Sequence, residues 1–150
     1  MGLFDKFKKP SLDASEIVFT DSGQALAMLL YAVACTDESL DDDEVGAVAA
    51  LIHFNGQISG VEPDIDYKYI TLCVDSVGPE AAIRAAFDYL PLELHEPAFT
   101  YACMVAMADG HVSDEEAAIL IEIAKMSDEF DLERAEQLID MAGVVMSPMF

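Results

Sequence analysis

The sequence predicts an all-α protein of about seven helices. Three observations predict it: apolar residues recur at helical spacing, Pro and acidic residues stand where helices begin, and no two segments alternate as paired strands do. The chain has 150 residues, of which 53% are hydrophobic, which suits one domain with a packed core. We expect residues 1–20 to form a partly flexible N-terminal leader and residues 21–150 to form a single helical domain.

The first three helices are predicted between residues 24 and 77. QALAMLLYAVACT is apolar on nearly every face, which predicts a central position in the core. DDDEVGAVAALIHF follows as a second helix, and NGQISGVEPDID is rich in turn residues and predicts a loop. YKYITLCVDSV is compatible with a strand because of its β-branched and aromatic residues, but Ile70, Val74 and Val77 form a helical stripe and the context favours a helix.

The remaining four helices carry clearer start signals. GPEAAIRAAFDYL and EPAFTYACMVAMA open on Pro79 and Pro97, each at a predicted first helical position. SDEEAAILIEIAKMS and DLERAEQLIDMAGVV complete the set, with Asp131 as the predicted N-cap of the last helix.

Charge and cysteine usage restrict the partners. The chain has 7 Lys and Arg against 29 Asp and Glu, a formal net charge of −22. Such a surface repels nucleic acid and suits divalent cations or a basic protein surface. No segment supplies the roughly 18 apolar residues of a transmembrane helix. Cys35, Cys73 and Cys103 form no CxxC pair, which predicts buried thiols in a reducing compartment.

An internal repeat relates two parts of the chain. VACTDESLDDDEVGAVAALI (33–52) aligns without a gap on VAMADGHVSDEEAAILIEIA (105–124) after a shift of 72 residues. Each copy is an apolar helix, an acidic turn and a second helix, which predicts two pseudo-twofold-related helix hairpins. The identical pairs are Val33/Val105, Ala34/Ala106, Asp37/Asp109, Asp42/Asp114 and Glu44/Glu116.

The two acidic turns predict a cation site. Asp37 and Asp109 are expected at helix C-termini, where the negative end of the helix dipole disfavours an anion, and neither turn contains Lys or Arg. A divalent cation such as Ca²⁺ would compensate this charge, with carboxylate oxygens as its ligands. The predicted metal ligands are Asp37, Glu44, Asp109 and Glu116.

A second explanation needs no metal. The aspartates can form Asx turns with their own backbone, and Ser113 with Glu116 has the spacing of a capping box. A complete EF-hand loop is excluded, because Val105 and Met107 would occupy two of its ligand positions. We predict no enzyme, no catalytic residues and no cofactor-binding residues, since the sequence contains no nucleophile elbow, catalytic triad order or Gly-rich phosphate loop.

The segment MVAMADGHVSDEEAAILIEIA resembles the TerB-like family, the tellurite resistance protein B domain. The signature is a helix that ends in Ala-x-x-Asp-Gly, followed by an apolar residue, Ser or Asp, and the Glu that opens the next helix. The matching residues here are Asp109, Gly110, Val112, Ser113 and Glu116. CTDESLDDDE occupies the place of the first copy, with Glu38 where the second copy has Gly110.

The resemblance implies an α-helical domain with a cation-binding acidic surface and a role in tellurite or other chemical stress. It also implies complexes with a membrane-associated protein partner. We therefore expect a non-enzymatic cytoplasmic protein that is peripheral at the inner membrane through its partners. The alternative is a metal-free acidic interaction module that docks a basic partner.

Overall fold

A computed structural model of the chain describes residues 13–36, 42–108, 112 and 114–149, with the backbone alone at residues 42–44 and 115. Within these residues there are seven α-helices and no strand, which confirms the predicted all-α class. The helices are α1 (Ser22–Ala34), α2 (Asp42–Ser59), α3 (Tyr67–Val77), α4 (Pro79–Tyr89), α5 (His95–Ala106), α6 (Asp114–Met126) and α7 (Leu132–Val145). Short 3-10 helices lie at Ala14–Glu16 and Leu92–Leu94.

Helix α1 lies at the centre of the domain. Nine of its 13 residues are buried, and it packs against α2, α3, α4 and α5. This position follows from an apolar surface on nearly every face, since such a helix can satisfy its side chains only when neighbours surround it. Asp21 caps its N-terminus by accepting a hydrogen bond from Gln24 N–H at 2.9 Å.

The segment before α1 packs on the domain. Ile17 and Phe19 contact the core, and the ring of Phe19 lies 4.9 Å from that of Tyr89 on α4. The backbone N–H of Val18 donates to the Tyr69 hydroxyl of α3 at 2.8 Å. These contacts tie the start of the described chain to α3 and α4.

Helix α2 continues beyond its predicted end. The loop prediction for the five residues from Asn55 to Ser59 was wrong, because the helix ends only before Gly60, which has a φ of 71°. Gly60 N–H donates to Gln57 O at 3.3 Å and Val61 N–H to Gly56 O at 3.0 Å, the bonding pattern of a glycine-terminated helix. Gly56 has a packing function in the helix, since a Cβ there would lie 2.7 Å from ring atoms of Pro63.

We expect Gly56→Ala to destabilise the protein by about 1 to 2 kcal/mol, because the added methyl group overlaps the Pro63 ring. Gly46→Ala on the same helix is the matched control, since a Cβ there meets nothing within 4 Å. That control should instead stabilise α2 by about 0.5 to 1 kcal/mol through its better helix propensity. Urea denaturation followed by circular dichroism measures both, and a stabilising Gly56→Ala would contradict the close approach of Pro63.

The predicted starts of the later helices are confirmed in two cases and corrected in one. Pro79 is the first residue of α4, and Asp131 caps α7 by accepting a hydrogen bond from Arg134 N–H at 2.9 Å. Helix α5 begins at His95, so Pro97 is its third residue and not its first. Proline is compatible with this place because the first-turn N–H groups have no partner inside the helix.

Candidate functional site

The two helix hairpins of the repeat are equivalent in register. Helices α1 and α5 end 72 residues apart, at Ala34 and Ala106, and α2 and α6 also begin 72 residues apart, at Asp42 and Asp114. Each pair of helices is therefore separated by the same seven residues, 35–41 and 107–113. Helix α1 packs directly on α5, which brings the two hairpins into contact, and their pseudo-twofold relation stays a prediction.

The chain enters both acidic turns in the same way. The residue after each helix, Cys35 or Met107, has nearly the same backbone angles: φ −82° and ψ −5° in the first case, φ −93° and ψ 0° in the second. The equivalent hydrogen bonds are Cys35 N–H to Tyr31 O at 3.0 Å and Met107 N–H to Cys103 O at 3.1 Å, then Thr36 N–H to Val33 O at 3.2 Å and Ala108 N–H to Val105 O at 3.1 Å.

The predicted ligands fall at matching places along these hairpins. Asp37 and Asp109 are each the third residue after the preceding helix, and Glu44 and Glu116 are each the third residue of the following one. Asp37, Asp109 and the side chain of Glu44 lie outside the described part of the structure. The gathering of all four carboxylates at one cation therefore stays a prediction.

Glu116 is the predicted ligand whose side chain is described, and it is buried. Its exposed fraction is 1%, and it is one of the largest fully buried side chains of the domain. It occupies the core-facing side of α6, one turn before the buried Leu120 and two before the buried Ile123. An ionised carboxylate in such a position requires hydrogen bonds or a positive charge to offset its desolvation.

Two influences can supply that compensation. Glu116 lies in the first turn of α6, where the positive end of the helix dipole favours an anion, and a divalent cation would favour it more strongly. The capping-box alternative pairs Glu116 with Ser113, which lies outside the described residues. Among the side chains that the structure describes, no group of three or more His, Cys, Asp or Glu is placed to hold a metal ion.

A buried histidine forms a polar network that the sequence does not predict. His95 is 6% exposed, with Nε2 2.9 Å from the carbonyl oxygen of Leu90 and Nδ1 2.7 Å from Oγ of Ser127. A carbonyl only accepts, so Nε2 carries a proton and donates to Leu90 O, and Nδ1 and the Ser127 hydroxyl share the second hydrogen bond. Ser127 Oγ also accepts from Glu129 N–H at 3.1 Å. Both ring nitrogens are thus hydrogen-bonded inside the core, and the ring holds α5 to the α6–α7 connection.

The buried thiols are poor nucleophiles. Cys73 and Cys103 are free and buried, as predicted, whereas Cys35, which was also predicted to be buried, is half-buried. Burial raises the pKa of Cys103 to about 12, and burial also raises the pKa of Cys73. Since the thiolate is the reactive form, both groups are held in the unreactive state at neutral pH.

A small open cleft lies between α1, α2 and α5. Its volume is about 90 Å³, well below the roughly 300 Å³ at which small-molecule sites begin. Asn55 Nδ2 donates to the Tyr101 hydroxyl at 3.3 Å at its edge. The lining residues are Ser22, Gly23, Leu26, Asn55, Leu90, Leu94, Pro97, Ala98 and Tyr101.

A comparison with protein families gives a match that covers most of the chain. A family model described as tellurite resistance protein TerB matches residues 23–137. No curated protein and no solved structure matches the chain. Over the described residues, no helix has both the length and the apolar character needed to cross a membrane.

Proposed function

The chain belongs to the TerB family, and on that premise we propose that it is a non-enzymatic helical domain that binds a divalent cation of the Ca²⁺ type in its acidic turns. The proposed ligands are Asp37, Glu44, Asp109 and Glu116. Oxygen ligands of this kind suit Ca²⁺ better than soft metals.

The burial of Glu116 carries the proposal. A carboxylate with 1% exposure occupies the start of the helix that follows the second acidic turn. The chain has a net charge of −22, and a bound cation would lower the cost of an ionised Glu116 in the core. The first hairpin has the same residue spacing as the second, which supports Asp37 and Glu44 as further ligands of the cation.

The role that we propose for this site lies in the response to tellurite or other chemical stress. The family match supports the connection to tellurite resistance. We further propose that the chain is cytoplasmic and acts in a complex with a protein partner, with peripheral attachment to the inner membrane through that partner. The bound cation would then hold the acidic turns in one conformation, and the partner would contact the surface that they form.

Thermal unfolding of the full chain in CaCl₂, MgCl₂ and NaCl at matched ionic strength tests the cation site. At about 100 times the dissociation constant, a specific site should stabilise the protein by about 2.7 kcal/mol. Asp109→Asn and Glu116→Gln should each remove most of the Ca²⁺-specific gain. Asp114→Asn is the matched control, since this exposed acid opens the same helix and is not a proposed ligand.

Two outcomes would count against the proposal. Equal stabilisation by all three salts would indicate screening of the net charge and no specific site. A full Ca²⁺-specific gain in both Asp109→Asn and Glu116→Gln would show that the ligands were assigned wrongly.

The excess of acidic residues favours a second candidate function. With 29 Asp and Glu against 7 Lys and Arg, the domain can act as a metal-free module that docks a basic protein by electrostatic complementarity. This candidate would replace the first if the salts stabilise equally and a basic partner still binds at low ionic strength.

A further inference from the structure

Helix α2 has an outer face without charge. From Val45 to Ser59 it contains no Asp, Glu, Lys or Arg, although these residues make up 24% of the chain. A helix on the surface of a domain usually carries charged residues on its exposed side, and one that is apolar all round is usually covered on all sides. From Val45 onward α2 lacks the charged side chains of a typical surface helix, and its polar residues are His53, Asn55, Gln57 and Ser59.

One side of α2 is covered within the domain. Val48 and Ile52 are 2% and 6% exposed and belong to the core, where α2 packs against α1 and α5. The hydrogen bond of 3.3 Å from Asn55 to Tyr101 of α5 fixes the orientation of the helix.

A neighbouring side, about 100° around the helix from Val48 and Ile52, carries a row of apolar residues that we call the α2 seam: Ala47, Leu51, Phe54 and Ile58. Successive members are four, three and four residues apart, the spacing at which one helix packs along another in a coiled coil. Ala47 and Leu51 are half-buried, whereas Phe54 is 53% and Ile58 66% exposed. The seam thus presents two large apolar side chains to solvent on a rigid helix.

Acidic residues stand at both ends of the seam. Asp42 and Asp43 are the first two residues of α2, and Glu62 and Asp64 follow its C-terminus in exposed positions. The 18-residue helix is about 27 Å long, so the pattern is an uncharged apolar strip between two anionic ends.

This pattern decides between two classes of occupant. If the α2 helices of two copies paired, acidic residues would face acidic residues in both the parallel and the antiparallel arrangement, because both ends of α2 are negative. A partner with positive ends avoids that repulsion, and the net charge of −22 attracts it over a distance. We propose that the α2 seam docks an amphipathic helix of a partner protein, with apolar residues on Phe54 and Ile58 and Lys or Arg at the acidic ends. The seam and the acidic residues at its ends, Asp42, Asp43, Glu62 and Asp64, include none of the four proposed cation ligands, so docking requires no bound cation.

A synthetic peptide tests the docking site on the full chain. The probe is a fluorescent 18-residue helical peptide of Leu and Lys with Leu at heptad positions, titrated by anisotropy in buffer with EDTA, so that the cation site plays no part. Phe54→Ser/Ile58→Ser should weaken binding by about tenfold or more, because truncation removes the apolar contacts at the centre of the interface. A peptide with Glu in place of Lys should not bind.

The control variant carries the same chemical change elsewhere. Ile121→Ser alters an α6 residue that is 47% exposed, and it should leave the affinity within about twofold of wild type. Circular dichroism checks that all variants are folded, which the exposure of the three side chains favours.

Three results would overturn the proposal. Equal binding by Phe54→Ser/Ile58→Ser and Ile121→Ser would mean that net charge alone attracts the peptide. A wild-type dimer in sedimentation equilibrium that becomes monomeric in Phe54→Ser/Ile58→Ser would assign the seam to a second copy. Displacement of the probe at equal concentration by a peptide of residues 1–12, which contain Lys6, Lys8 and Lys9, would assign it to the chain's own leader.

Discussion

Phe99→Ala is expected to lower the free energy of unfolding by about 3 to 5 kcal/mol, the range for truncating a buried aromatic side chain. Phe99 is fully buried on α5, and its ring centroid lies 5.2 Å from that of Phe130, just before α7. The substitution removes this ring contact and leaves a cavity where α5 meets α7. Urea denaturation followed by far-UV circular dichroism measures the loss.

Phe54→Ala makes the same chemical change at a site that is 53% exposed. It should alter the free energy of unfolding by less than about 1 kcal/mol, since little buried surface is lost. Because many domains have only about 5 to 15 kcal/mol in total, the two variants should differ visibly in their denaturation midpoints. Similar losses would contradict the assignment of Phe99 to the core and of Phe54 to an uncovered face.

His95→Ala is expected to cost about 3 to 4 kcal/mol, because it creates a cavity and removes two buried hydrogen bonds together. The ring of His95 packs on Phe87 with centroids 4.3 Å apart. Its removal also leaves the carbonyl of Leu90 and the hydroxyl of Ser127 without their present partner. The loss should appear as a lower midpoint in urea with little change in helix content.

A double-mutant cycle separates the hydrogen bond from the cavity. Ser127→Ala, alone and combined with His95→Ala, should reveal a coupling of about 1 to 2 kcal/mol, as expected for residues in direct contact. His53→Ala is the control, since His53 is exposed and its loss should change stability by less than about 0.5 kcal/mol. Additive effects of the His95 and Ser127 substitutions would contradict the network.

The helices could be predicted where local signals and burial agree. Helix α1 is apolar on nearly every face and is central, and α7 begins after its capping residue Asp131. The end of α2 was missed because Asn55 and Gly56 have the composition of a turn, whereas the actual stop depends on Gly60 and on the return of Pro63 against Gly56. That contact is tertiary, and local propensity does not contain it.

The positions of the candidate ligands along their helices could be predicted from the sequence, but the burial of their side chains was not. The repeat placed Asp37 and Asp109, and Glu44 and Glu116, at equivalent positions, and the helix ends agree with that alignment. The burial of Glu116 was missed, although its spacing from Leu120 and Ile123 places it on the apolar stripe of α6. The His95 network could not be predicted, because Ser127 is 32 residues away along the chain.

In both hairpins the two helices are separated by seven residues. This equality implies that the length of the turns is more constrained than their residue types. The residue types already differ between the two turns, with Glu38 in the first where the second has Gly110. An insertion or deletion would instead change the offset between the aspartate that leaves one helix and the glutamate that enters the next. Homologues of this chain should therefore differ in the residue types of the two turns, while each turn keeps its length of seven residues.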